Sequence, residues 1–142
     1  MAKISKMLFG LNLECTRRVG YGGLYAEMLV NRKFAAGAAG FYPVERDGLR
    51  GLGQCTEQIF LKGGAEYALR ALYEGQGRVR LRLATEAGET LFECSGGEGL
   101  YTPESSYAHA RFEFAAEEGV RVRAVSLREA DSPFGCRRDV LD

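Results

Sequence analysis

The stretch Glu66-Tyr67-Ala68-Leu69-Arg70-Ala71-Leu72-Tyr73-Glu74-Gly75-Gln76-Gly77-Arg78-Val79-Arg80-Leu81-Arg82-Leu83 decides the fold. Tyr67, Leu69, Ala71 and Tyr73 alternate with Glu66, Ala68, Arg70 and Leu72, and Gly75-Gln76-Gly77 ends the run. Val79, Leu81 and Leu83 then alternate with Arg78, Arg80 and Arg82. A period of two puts every second side chain on the same face of a strand. Both segments therefore read as half-buried strands joined by a tight turn.

The same period continues on both sides. A turn at Glu86-Ala87-Gly88-Glu89 leads into Thr90–Cys94, and Ser95–Tyr101 reads as a connection. Ala110, Phe112 and Phe114 alternate with His109, Arg111 and Glu113, and Glu117-Glu118-Gly119 turns the chain into Val120–Leu127. In that last segment the inward register Val120, Val122, Ala124 shifts to Val125, Leu127, which predicts a β-bulge or an edge-to-centre change.

Upstream of Phe41, the run Ala35-Ala36-Gly37-Ala38-Ala39-Gly40 reads as a loop and Leu8–Cys15 as a strand. Leu24, Tyr25, Met28 and Leu29 recur at helical spacing after Tyr21-Gly22-Gly23, predicting a short helix over Leu24–Val30. Five or six short alternating strands with glycine-bearing turns predict an all-β antiparallel sandwich. No βαβ rhythm appears, which excludes a Rossmann or barrel fold for these residues.

The composition agrees with one packed domain. The chain has 142 residues, 46% hydrophobic and 27% charged, with 19 basic and 19 acidic side chains. A chain this apolar and this balanced is neither disordered nor suited to neutralising a phosphate backbone. Charge is nevertheless uneven, because six basic groups and two acidic ones lie within residues 1–40. Solvated surface Lys and Arg accounts for this more simply than an anion site. No run approaches the roughly 20 apolar residues of a membrane span, and the N-terminus lacks the pattern of a secretory signal.

Cys15, Cys55, Cys94 and Cys136 form no C-x-x-C pair, and His109 is the single histidine, so no zinc site is expected. The cysteines are expected as free thiols of a cytoplasmic protein, with two long-range disulfides as the alternative.

Leu8-Phe9-Gly10-Leu11-Asn12-Leu13-Glu14, followed by Tyr21-Gly22-Gly23-Leu24-Tyr25-Ala26-Glu27-Met28-Leu29-Val30-Asn31-Arg32-Lys33-Phe34, resembles the start of family 51 α-L-arabinofuranosidases. Those glycoside hydrolases open with a G-x-x-x-E element and a Y-G-G-x-Y-A-E-x-L-x-N-R-x-F element. The tail Arg137-Arg138-Asp139-Val140 is similar to the family's R-x-D-V entry into its catalytic barrel.

The resemblance implies three parts. Residues 1–40 are the arabinofuranosidase-like start, 41–130 a carbohydrate-binding-module-like jelly roll, and 131–142 a stub leading to the barrel. A (β/α)₈ barrel needs on the order of 250 residues. A retaining glycosidase also needs two carboxyl groups roughly 5–5.5 Å apart. In the family both glutamates lie on barrel strands, the acid/base in an Asn-Glu motif. Here Asn12 and Asn31 are followed by Leu and Arg, so no catalytic residue and no cofactor is expected. The implied partners are an arabinose-containing oligosaccharide or polysaccharide and the barrel of a parent hydrolase.

One family site residue maps across. The Glu of G-x-x-x-E reaches the bound arabinose in the family, and its match is Glu14. A carboxylate suits that task because its oxygens accept hydrogen bonds from sugar hydroxyls. Stacking on sugar rings needs exposed aromatics. Tyr101 and Tyr107 flank the turn-rich Thr102-Pro103-Glu104-Ser105-Ser106 and are the expected sugar contacts. Phe112 and Phe114 share a face and are expected in the core, while His109 is expected at the surface. Tyr25, Met28, Leu29 and Phe34 are expected to plug the sandwich or to dock it on a barrel. An apolar patch left bare there would favour self-association.

Overall fold

In the computed structural model, which describes residues 26–132, the alternating stretches form eight strands. They are β1 Tyr42–Arg46, β2 Leu49–Cys55, β3 Tyr67–Glu74, β4 Val79–Thr85, β5 Thr90–Ser95, β6 Glu98–Tyr101, β7 Ala110–Ala116 and β8 Arg121–Glu129. A five-stranded sheet has the order β1-β2-β7-β4-β5, and a three-stranded sheet has the order β6-β3-β8. Every neighbouring pair is antiparallel. The inward residues of both sheets share one core. Leu81, Leu83, Phe112 and Phe114 from the larger sheet belong to the same buried cluster as Tyr67, Leu69, Val125 and Leu127 from the smaller.

Phe112 and Phe114 are buried as expected, and His109 is exposed. The predicted bulge is present in β8. Leu72 pairs with Ala124 and Tyr73 with Val122, leaving Arg123 as the extra residue. Residues 35–40 are turns, as expected of so many small side chains.

Two expectations need correction. Ser95–Tyr101 is not only a connection, because Glu98–Tyr101 forms β6 along β3. The helix expected over Leu24–Val30 is absent from its described part, residues 26–30, which run without helical bonding. Tertiary partners override the helical spacing there. Met28 N donates to Leu127 O at 2.9 Å, and Val125 N donates to Arg32 O at 2.9 Å. The segment thus lies along the otherwise open edge of β8.

Three polar side chains lock this segment down. One carboxylate oxygen of Glu27 accepts from Leu127 N at 3.0 Å and from Leu29 N at 3.2 Å. Its other oxygen accepts from the Ser126 hydroxyl at 2.6 Å. Gln54 of β2 is fully buried and acts as a surrogate peptide group. It accepts from Val30 N at 3.0 Å and donates to Val30 O at 3.1 Å and to Gly40 O at 3.3 Å. Asn31 has a φ of 52°, a left-handed conformation its residue type tolerates, and its amide donates to Gly37 O and Ala39 O. Leu29 is buried, and Phe34 packs its ring 5.7 Å from Phe114 and 5.4 Å from Phe41. Met28, Leu29 and Phe34 therefore do plug the sandwich, while Tyr25 and the strand expected over Leu8–Cys15 lie outside the described residues.

Candidate functional site

With Phe112, Phe114 and Ala116 turned inward, alternation turns Arg111, Glu113 and Ala115 of β7 to the outer face of the five-stranded sheet. Register places Gly53 and Arg82 on either side of Glu113, and Cys55 and Ala84 on either side of Arg111. Gly53 in turn pairs with Tyr42, whose ring covers it so closely that a Cβ there would lie 2.4 Å from a ring carbon.

A buried polar chain crosses the centre of this face. The Tyr42 hydroxyl donates to Glu113 Oε1 at 3.0 Å, and Arg82 Nη1 donates to Glu113 Oε2 at 2.6 Å. Arg82 also donates to Thr90 Oγ1 at 2.9 Å and to Gly88 O at 2.6 Å. Arg82 and Glu113 are only 6% and 8% exposed. Charges held so far from water need several good partners each, and both have them. Burial first, and then the Glu113 carboxylate, push the Tyr42 phenol well above its ordinary pKa. Beside this chain, Arg80 joins Asp47 at 2.5 Å and Glu93 at 3.3 Å.

Arg111 is different. Its guanidinium carbon lies 5.9 Å from the centre of the Tyr42 ring, within cation–π range. It makes no hydrogen bond or ion pair among the described residues, and its Nε is buried without an acceptor. The two cross-strand neighbours, Cys55 and Ala84, are small, and Cys55 is exposed with a free thiol.

Beyond Arg111, where β4 ends and β7 begins, a recess of about 550 Å³ opens between Thr85–Ala87 and Ser106–His109. Tyr107 supplies its aromatic surface, and Thr85, Glu86, Ser106 and His109 supply polar groups. The backbone of Tyr107 is fixed by paired hydrogen bonds with Leu61, at 2.7 and 3.0 Å. The recess is shallow and open to solvent, with an aromatic residue and polar groups in its lining.

Of the residues proposed from sequence, Tyr107 lines this recess and Tyr101 does not. Neither is the freely exposed loop aromatic expected of it, since both are partly buried against the core. Tyr101 stacks on Phe92 with ring centres 5.3 Å apart, and burial raises the pKa of its hydroxyl, helped by Tyr107 and Glu104. Glu14 lies outside the described residues. Sequence reasoning missed Tyr42, Arg82, Arg111 and Glu113 as one cluster, because only the register of three strands brings them together. Among the described residues no group of three or more His, Cys, Asp and Glu is placed to hold a metal.

No family model matches the chain, and no curated protein matches it. Among solved structures it superposes on an arabinose-bound MgGH51 α-L-arabinofuranosidase with a TM-score of 0.60 and 20% identity. That match covers 86% of this chain and 30% of the enzyme. The enzymatically active domain of bacteriophage CBA120 tailspike protein 4 follows with a TM-score of 0.52 and 11% identity, over 73% of this chain and 21% of that one. A CBM4 structure gives a TM-score of 0.43 at 14% identity, over 69% of this chain and 83% of the module. The chain spans less than a third of the two enzymes, and at these identities the first two matches share its fold.

Proposed function

We propose that this chain is a non-catalytic, carbohydrate-binding-like jelly roll of the kind that stands in the N-terminal region of an α-L-arabinofuranosidase, and that it takes an arabinose-containing glycan. The observation that carries the reading is the recess of about 550 Å³ walled by Tyr107 and ringed by Thr85, Glu86, Ser106 and His109. Aromatic surface for a sugar ring and polar groups for its hydroxyls converge there. The shared fold with an arabinose-bound α-L-arabinofuranosidase supports the same reading. Glu14 joins it through the sequence resemblance, and Tyr101, stacked on Phe92, is the second proposed aromatic contact. A cytoplasmic setting belongs to the proposal and is favoured by the free thiols of Cys55 and Cys94.

The test is an amide NMR titration with arabinose and arabinoxylan oligosaccharides. Saturable shifts clustered at residues 85–87 and 106–111, lost in Tyr107→Ala, support the reading. A well-dispersed spectrum indifferent to every sugar at millimolar concentration sinks it.

A second reading has its own observation. Leu72 and Leu100 are 68% and 59% exposed on the outer face of the three-stranded sheet. Large apolar side chains left in water favour a docking or self-association module that binds no sugar. Concentration-dependent sedimentation, relieved by Leu72→Ser with Leu100→Ser, would select it.

A further inference from the structure

We infer that the glycan taken by this face carries a carboxylate, as a hexuronic acid residue does, and that Arg111 reads it. The inference rests on the carbohydrate-binding reading and narrows it to acidic glycans.

The positive charges of this face are answered unequally. Arg80 is held by Asp47 and Glu93, and Arg82 by Glu113. Their guanidinium charge is answered within the protein. Arg111 sits on the same face with no carboxylate partner among the described residues, and its buried Nε has no acceptor among them. A guanidinium charge that no carboxylate answers gains most from an external carboxylate at its Nη donors.

The surroundings of Arg111 also prepare it. The Tyr42 ring beneath the guanidinium is anchored at its hydroxyl by Glu113 and seated on Gly53, so the plane of the cation is supported by a fixed surface. A guanidinium supported in this way loses little freedom when a planar carboxylate accepts its two Nη donors. Cys55, short and exposed, flanks it on one side, while Ala84 on the other is fully buried, so the open approach to the guanidinium is over Cys55.

Position completes the case. Arg111 lies two residues from His109 on the strand that leads into the recess, so one glycan can reach both. Glu86 on the recess wall and Glu113 two residues further along oppose any group of greater negative charge. A singly charged carboxylate is tolerated better beside them than a phosphate dianion.

The experiment compares arabinoxylan oligosaccharides with and without a glucuronic acid substituent, titrated at low salt against the wild-type chain, Arg111→Gln and Arg111→Lys. For the wild type, the acidic oligosaccharide is expected to bind about tenfold tighter than the neutral one. That ratio should fall toward one in Arg111→Gln, stay intermediate in Arg111→Lys, and shrink in the wild type at high ionic strength. Equal wild-type affinities for the two oligosaccharides overturn the inference and leave the carbohydrate-binding reading standing. A preference that survives Arg111→Gln in a folded variant overturns the role of Arg111. Binding of neither oligosaccharide overturns both readings together.

Discussion

Gln54 and Val30, 24 residues apart, hold each other through two hydrogen bonds that imitate a strand pair. The Gln54 side chain is fully buried, so its amide supplies what water cannot. Substituting Gln54→Leu keeps the volume and removes the partners of Val30 N, Val30 O and Gly40 O. The expected loss is about 3 kcal/mol of unfolding free energy in urea, from buried groups left unpaired. A loss under about 0.5 kcal/mol, the range of an ordinary surface change, would show that the clamp contributes nothing.

The Arg82–Glu113 pair behaves as a unit. Glu113→Ala leaves the Arg82 cation buried and the Tyr42 hydroxyl without its acceptor, and should cost about 3–5 kcal/mol. Replacing both, Arg82→Met with Glu113→Leu, removes the stranded charge and should recover most of that loss. Chemical denaturation of the single and double variants measures the difference. Equal destabilisation in both would locate the cost in packing and not in charge.

Tyr42 makes stability depend on alkaline pH. Its folded pKa is raised above the ordinary 10.0, so the folded protein holds the phenolic proton more tightly than the unfolded chain does. The resulting stabilisation is complete below pH 10 and is lost as pH rises above it. Urea midpoints of the wild type should therefore fall more steeply between about pH 9 and pH 11 than those of Tyr42→Phe. Parallel curves would contradict the assignment.

Glu117 offers the opposite sign on the surface. Its carboxylate accepts from the Arg78 backbone N–H at 2.9 Å and from the Arg78 side chain at 2.5 Å, which together hold its pKa below the usual 4.5. Side-chain carboxyl NMR should show Glu117 titrating below the other exposed glutamates. Arg78→Ala should move its midpoint only part of the way back, because the backbone donor remains. A full return would mean the backbone bond is not formed in solution.

Gly51 tests the register of the larger sheet. A Cβ at this position would stand 1.8 Å from the Phe114 carbonyl oxygen, which is backbone and cannot swing aside. Gly51→Ala should destabilise by about 1–3 kcal/mol through overpacking. Gly88→Ala has open space around its added methyl and should lose only the penalty of its φ of +95°. Thermal melts of the pair separate the two causes.

Strands β3, β4, β7 and β8 were legible because each has one buried face, and burial is what writes a period of two into sequence. The bulge at Arg123 was legible for the same reason, since an extra residue interrupts that period. β1 was not legible, because its edge position leaves Tyr42, Val44, Glu45 and Arg46 with little burial to record. β2 was obscured by Gly51 and Gly53, whose missing side chains make room for a carbonyl and a ring. The signal for that hairpin was Asp47-Gly48, whose φ values of 51° and 75° fit a two-residue turn between strands.

The site was less legible than the fold. Tyr107 was named from its loop alone, and what register adds is its place in the lining of the recess. Arg111 gains its meaning from Tyr42, which lies 69 residues earlier and reaches it only through β2. The segment 26–30 carries a helical pattern in its apolar residues, but Glu27 and Gln54 commit its backbone to β8 and β2 instead.

The seam between Met28 and Leu127 has a kinetic consequence. It joins the first described residues to the last strand, so on a ribosome it cannot form until nearly all of the described chain has emerged. Closing a loop of that length is entropically slow, and folds dominated by such distant pairings reach the native state late. Until β8 arrives, the Glu27 carboxylate lacks the Ser126 hydroxyl and the Leu127 N–H that it accepts from. Completion of the sandwich is therefore tied to the emergence of β8.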